Sequence, residues 1–293
     1  MNDKPAIGLV GLGIMGAPIA LNLASRGYQV TAWNLERDRY EVVRDSGVEW
    51  ADSAAEVWSR CEVGLVCVLG DDALEEVVLG EKGFAAGRGR AELVIDLSTS
   101  SPASTREIAR RFKHKTGADW LDAPMSGGPQ PAREGNLALM VGGDRALFER
   151  VEPLLREIGS NVTYMGALGS GQKTKILNQA IVGVNYILMA ELLATARAAG
   201  IDPKLLPTCL KGGLADSAIL QRIYTQMVDD DFDPPRSYAR QVNKDLKSVH
   251  KFLAELDLDM PMIELAVARY AEFAEEGNEM ADSASVSRLY QKR

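Results

Sequence analysis

At 293 residues the chain is longer than most single domains, so two domains are expected, each large enough to bury its own core. With 46% apolar and 25% charged residues it has the composition of an ordinary globular protein. Its net charge of -8 speaks against nucleic acid or an anionic membrane surface as the main partner, since both demand a basic face. A small anionic substrate would need local positive groups.

The N-terminus is polar as far as Pro5 and then enters a strand, without the charged and apolar regions of a secretory signal. Apolar runs then alternate with amphipathic stretches. The pattern predicts strands at 6–10, 29–33, 63–69 and 93–97, with helices through 23, near 39–46, over 73–79 and over 104–111. Further strands are expected at 120–123, 137–141 and 162–165. This alternation predicts an α/β fold, a Rossmann-type parallel sheet flanked by helices. After Gly166 the pattern becomes helical, beginning with one long helix over 175–199 that ends near Gly200. The expected organisation is a dinucleotide-binding domain over 1–166 and an all-helical substrate and dimerisation domain over 167–293. The longest apolar stretch, 176–189, is interrupted by Asn178, Gln179 and Asn185 and reads as a buried helix too short and too polar to span a membrane.

Cys61, Cys67 and Cys209 are odd in number and widely spaced, which fits a reducing cytoplasm rather than a disulfide framework. His114 and His250 are the only histidines and neither has a second at ligand spacing, so no metal site is expected. If the chain moves protons, another side chain has to do it.

The strand at 6–10 is followed by Gly11-Leu-Gly13-Ile14-Met15-Gly16 and then by a helical pattern. In that order the first glycine allows a tight turn, the second lets the backbone approach a pyrophosphate, and the third lets the helix pack closely on the strand. The phosphates would meet the positive end of the helix. At the end of the second strand, Asn34 carries no charge to repel a 2′-phosphate, and Arg37 and Arg39 are near enough in sequence to meet one. NADP is therefore favoured, with NAD kept open because Glu36 offers an acceptor for a ribose hydroxyl.

Four separated motifs, covering nearly the whole chain, resemble those of the β-hydroxyacid dehydrogenase family, the group of 3-hydroxyisobutyrate dehydrogenases and tartronate semialdehyde reductases. The first is the glycine segment through Pro18. The second is Asp122-Ala-Pro-Met-Ser126-Gly127-Gly128, continued to Gly143, whose hydroxyl and glycine N–H groups suit a carboxylate. The third is Gly169-Ser-Gly-Gln-Lys-Thr-Lys175-Ile-Leu-Asn178-Gln179, and the fourth Lys244-Asp-Leu-Lys247. Ser98 and Thr99, after the strand at 93–97, look like the family's loop near the nicotinamide.

The resemblance implies reversible hydride transfer between NAD(P) and a small 3-hydroxy acid or semialdehyde acid. It assigns Lys175 as general acid/base, Ser126, Gly127 and Gly128 to the substrate carboxylate, and Lys244 to the cofactor. Asparagine usually follows the family's lysine by four positions, whereas here Gln179 stands there and Asn178 one position earlier, so either amide is a candidate for orienting the substrate. The resemblance also implies a homodimer or homotetramer. Two alternatives remain: an imine reductase, in which another residue generally replaces Lys175, and a non-catalytic NAD(P)-binding sensor.

Overall fold

In the computed structural model, which describes residues 4–291, the apolar runs of the first half become strands whose successive residues feed two separate cores. The strands are β1 (Ile7–Val10), β2 (Val30–Trp33), β3 (Glu49–Trp50), β4 (Val63–Val66), β5 (Leu93–Asp96), β6 (Asp119–Asp122), β7 (Met125–Ser126), β8 (Ala138–Gly142) and β9 (Asn161–Gly166). They form one sheet in the order β3-β2-β1-β4-β5-β6-β8-β7, with β9 beside β8. Strands β1 to β6 are parallel, β8 is antiparallel to β6 and β7, and β9 is parallel to β8.

On one face Leu65, Ile95 and Leu121 pack with Ile19 and Leu23 of α1 (Gly16–Ser25). On the other, Val66, Val94 and Trp120 pack with Trp58 of α2 (Ala54–Arg60), Leu74 of α3 (Asp71–Leu79) and Phe112 of α4 (Pro102–Thr116). Helices over both faces of a parallel sheet are the doubly wound arrangement that the alternation predicts. Helix α5 (Pro129–Glu134) precedes β8, and α6 (Arg145–Ile158) joins β8 to β9. Ser53, Ser101 and Asp144 start α2, α4 and α6 by accepting from a backbone N–H three residues on.

Residues up to Lys175 form one compact unit and those from Ile176 a second. Helix α7 (Ser170–Ala198) spans the boundary, and α8 (Leu206–Leu210), α9 (Thr225–Val228), α10 (Ala239–Glu255) and α11 (Pro261–Phe273) follow. The second unit's core includes Ile187, Tyr224, Leu246, Tyr270 and Phe273. A Cβ at Gly183 would lie 2.5 Å from Leu246, so this glycine lets α7 and α10 approach closely.

Three expectations are corrected. The stretch near 39–46 forms two 3-10 turns, Arg37–Val42 and Arg44–Ser46, because neither buries a residue that would anchor an α-helix. β3 and β7 were not anticipated, as two residues cannot display an alternation. The 176–189 stretch lies inside a 29-residue helix that is long and apolar enough to cross a membrane, so shortness does not exclude a span. Small and apolar residues on either side of the stretch continue the helix. Its buried Ile176, Ala180, Ile187, Ala190 and Leu193 join the second core.

Candidate active site

The parallel register aligns Trp33, Val10, Val66, Asp96 and Asp122 in one row across the sheet. The loops that follow these residues therefore leave the same edge, the carboxyl ends of the strands, where open α/β sheets take their ligands.

The three glycines of the first loop differ in what surrounds them. A Cβ on Gly11, whose φ is +103°, would lie 2.1 Å from the Cys67 carbonyl oxygen, and one on Gly16 only 1.8 Å from that of Gly11. Around Gly13 nothing lies within 4 Å of such a Cβ. The outer two glycines thus let strand, loop and helix touch, and the middle one leaves open space over the backbone. No side chain caps the N-terminus of α1, where Met15 is the capping residue, and Ile14 is exposed. These residues fit a dinucleotide's pyrophosphate, which would supply the acceptors that such a helix end lacks.

Asn34 is buried at the end of β2, where its Oδ1 accepts from Leu12 N at 2.8 Å. Its Nδ2 donates to the Glu36 carboxylate at 2.8 Å. The amide thus holds the glycine loop in place as well as being uncharged. Arg37 is exposed, with its guanidinium 5.2 Å from the centre of the Trp50 ring and an ion pair to Asp52 at 3.5 Å. Ser98 is buried, and its Oγ accepts from Val68 N at 3.0 Å, tying the β4 and β5 loops together; Thr99 is half-buried beside it.

Asp96 and Asp122, partners in register, are both fully buried. Asp96 accepts from Ser98 N at 2.9 Å, yet loss of water pushes its carboxyl up to about 7, with Asp122 adding to the rise. Asp122 is also raised by burial, against the pull of the backbone donors at the start of α7: Gly169 N at 2.7 Å and Gln172 N at 2.9 Å. Gln172 in turn donates from Nε2 to Ser98 O at 2.9 Å and accepts from Ser100 N at 3.2 Å. A Cβ at Gly171 would lie 2.2 Å from Met140 O, so only glycine lets α7 enter here. These contacts fix the first turn of α7 on the strand ends.

Lys175 sits one turn further along α7. It is 8% exposed, and its Nζ donates to Met125 O at 2.8 Å, placing the amine beside the Ser126–Gly128 segment. Lys173, in contrast, is exposed. Gly127 and Gly128 adopt φ of +143° and +90°, which turn the chain between β7 and α5, and a Cβ at Gly128 would meet nothing within 4 Å. Burial raises the Cys61 and Cys67 thiols to about 12, which leaves neither poised as a nucleophile. Among the described residues no group of three or more His, Cys, Asp or Glu side chains could hold a metal.

In the second unit, Asn178 Nδ2 donates to Gln179 Oε1 at 2.7 Å, and Gln179 Nε2 to Asp245 Oδ2 at 2.5 Å. Lys244 pairs with the other oxygen of Asp245 at 3.1 Å. The third and fourth motifs are thus joined by one polar chain. Sequence reasoning gave no role to Asp96, Asp122, Gln172 or Asp245. The available signal for Asp96 was a carboxylate closing an otherwise apolar strand, which demands buried partners.

The Asp96 shift has a consequence for stability. Below the unfolded value of 3.8 the group is protonated in both states, and between there and about 7 the folded chain keeps a proton that the unfolded chain releases. Stability therefore falls as pH rises through this window, by up to about 4 kcal/mol from a carboxyl raised by roughly three units. Asp96→Asn removes the effect and keeps an acceptor for Ser98 N. In urea titrations the variant is expected to gain stability relative to wild type between pH 4 and pH 8, and a difference constant with pH would contradict the assignment.

Comparison with known proteins agrees with this geometry. The family model for the NAD binding domain of 6-phosphogluconate dehydrogenase matches residues 6–166, and that for the NAD-binding domain of NADP-dependent 3-hydroxyisobutyrate dehydrogenase matches residues 169–290. The chain is 37% identical to 2-hydroxy-3-oxopropionate reductase of Escherichia coli over 255 residues, 87% of this chain and 86% of that protein. It superposes on Mycobacterium tuberculosis 3-hydroxyisobutyrate dehydrogenase, solved with L-serine, with a TM-score of 0.86 and 27% identity, covering 99% of this chain and 100% of that one. An imine reductase from Myxococcus stipitatus shares the fold at a TM-score of 0.63 and 21% identity, over 98% of this chain and 100% of that one. With both family models matched and a relative of this identity along most of its length, the chain belongs to the β-hydroxyacid dehydrogenase family of NAD(P)-dependent oxidoreductases acting on CH–OH groups.

Proposed function

We propose that the chain interconverts a small 3-hydroxy acid and the corresponding semialdehyde acid, using NADP in preference to NAD, with Lys175 moving the proton. The observation that carries this reading is the buried Lys175 amine, hydrogen-bonded to Met125 O directly before the Ser126–Gly128 segment. NADP, when bound, accepts or supplies the hydride at the substrate carbon.

In the oxidative direction the neutral Lys175 amine takes the hydroxyl proton as the carbonyl forms. In reduction the ammonium returns a proton to the carbonyl oxygen and stabilises negative charge there meanwhile. Ser126 Oγ and the N–H groups of Gly127 and Gly128 hold the substrate carboxylate, and Asn178 or Gln179 orients the hydroxyl. Ser98, Thr99 and Lys244 are assigned to the cofactor. The preference for NADP is supported by the neutral Asn34 and by the exposed Arg37 guanidinium, which lies over Trp50 of the edge strand.

The test is oxidation of NADPH and NADH with a panel of three- and four-carbon semialdehyde acids and one cyclic imine. Turnover of a semialdehyde acid, faster with NADPH, is expected. Turnover of the imine alone would move the chain to the imine reductases, and cofactor binding without any turnover would make it a sensor.

A homodimer or homotetramer belongs to the same reading, supported by Leu177, Ile181, Leu188 and Leu192, exposed along one side of α7. Sedimentation velocity that finds only monomer would contradict it. Cytoplasmic placement is likewise proposed, supported by three cysteines that are all free thiols.

A further inference from the structure

Gln172, in the first turn of α7, is wholly buried, and its carboxamide reaches out of the helix to a single loop. Nε2 donates to Ser98 O at 2.9 Å, and Oε1 accepts from Ser100 N at 3.2 Å. These two groups belong to the residues on either side of Thr99, so the side chain brackets Thr99 as the backbone of a parallel neighbouring strand would. The Gln172 N–H meanwhile donates to Asp122 Oδ2 at 2.9 Å. One residue thus joins α7 to the end of β6 through its main chain and to the loop after β5 through its side chain.

Other anchors of that loop come from elsewhere: Ser98 N donates to Asp96 at 2.9 Å, and Ser101 N to Asp71 Oδ1 at 2.8 Å, at the start of α3. Lys175 follows Gln172 by three residues, which puts both on one side of the helix a turn apart. Every residue in this chain of contacts lies in the first compact unit. An apolar side chain would fill the same space, but it would satisfy neither Ser98 O nor Ser100 N.

We propose that Gln172 is a positioning residue, which holds the Ser98–Ser100 loop and the turn carrying Lys175 at one spacing. Cofactor held at the loop and the amine that moves the proton then keep a fixed relation. The proposal rests on the assignment of that loop to the cofactor and of Lys175 to proton transfer. Loss of the carboxamide leaves α7 anchored through Asp122 and uncouples the loop from it.

The test is hydrogen exchange read by mass spectrometry on the full-length chain, with and without NADP, beside kinetics on a semialdehyde acid. In the wild type NADP is expected to slow exchange both over 97–101 and over 170–175. In Gln172→Met, which keeps the length of the side chain, protection over 97–101 is expected to remain and that over 170–175 to be lost. Its kcat should fall by about tenfold or more, with a smaller change in the KM for the semialdehyde acid, as misplacement of a reacting group predicts.

Gln172→Glu supplies the rescue. A protonated carboxyl donates to Ser98 O and accepts from Ser100 N as the amide does, whereas the carboxylate only accepts. The titratable groups around this position are Asp96 of β5, Asp122 of β6, Lys175 of α7 and Arg106 of α4, beside Gly169. Burial raises both aspartates and would hold the glutamate protonated at the acid end in the same way. The ratio of its kcat to that of the wild type is therefore expected to fall as pH rises from about 6 to about 8. If the methionine variant does not fold, the glutamate variant at the alkaline end takes its place in the exchange experiment. Protection confined to 97–101 in the wild type, protection over 170–175 that survives the substitution, or a ratio constant with pH overturns the proposal. A wild type that turns over no semialdehyde acid defeats the functional reading instead, and exchange still decides the role of Gln172.

Discussion

Lys175→Ala is expected to lower kcat by about 10²–10⁴-fold, the range for loss of a positioned general acid/base, while the Kd for NADP stays nearly unchanged. The side chain is buried and makes a 2.8 Å bond to Met125 O, so its removal acts where the reacting oxygen is assigned and not on the glycine loop. Steady-state kinetics on a semialdehyde acid, with cofactor affinity from fluorescence titration, separates the two quantities. A variant with wild-type kcat would remove the role. An equal loss in cofactor affinity would show that the lysine serves the fold or the nucleotide instead.

Asp122→Ala carries the second large effect, through position instead of chemistry. The carboxylate accepts from Gly169 N and Gln172 N while fully buried, and alanine leaves both donors without a partner. At about 1–3 kcal/mol for each buried donor stranded, the variant is expected to be about 2–6 kcal/mol less stable in urea unfolding. Because these bonds set the first turn of α7, kcat should fall as well, with a smaller change in the KM for NADPH. Asp122→Asn keeps one acceptor oxygen and should lie between the two. An alanine variant within about 0.5 kcal/mol of wild type would show that α7 is held by packing alone.

The two residues differ in how far the sequence alone discloses them. The glycine loop is legible because the backbone itself dictates the spacing: Gly11 and Gly16 stand where a Cβ would strike a carbonyl, and Gly13 where the space is open. The parallel sheet is legible because Leu65 and Val66, or Val94 and Ile95, feed alternate cores. Lys175 is distinguished from Lys173 only by the motif around it, and burial then separates the two.

Asp122 and Gln172 are a different matter. Their bonds join positions 50 apart, and the bonds of Gln172 to the Ser98 loop join positions 72 and 74 apart. Local pattern carries no trace of such partners. Asn34 shows the same limit. Its lack of charge is readable at once, but its hold on Leu12 N follows only from the register of β1 and β2. The helix expected near 39–46 is replaced by turns because charged residues there favour neither alternative, and no buried face decides between them.

In the proposed reaction Lys175 exchanges a proton and does more than supply positive charge. Arginine keeps the charge but does not release a proton in the working pH range. Comparing kcat for Lys175→Arg with that for Lys175→Ala on the same semialdehyde acid therefore tests the claim most directly, with circular dichroism to confirm that both fold. The arginine variant is expected to stay within about tenfold of the alanine variant, far below wild type. An arginine variant with kcat near wild type would contradict it and reduce Lys175 to a fixed cation.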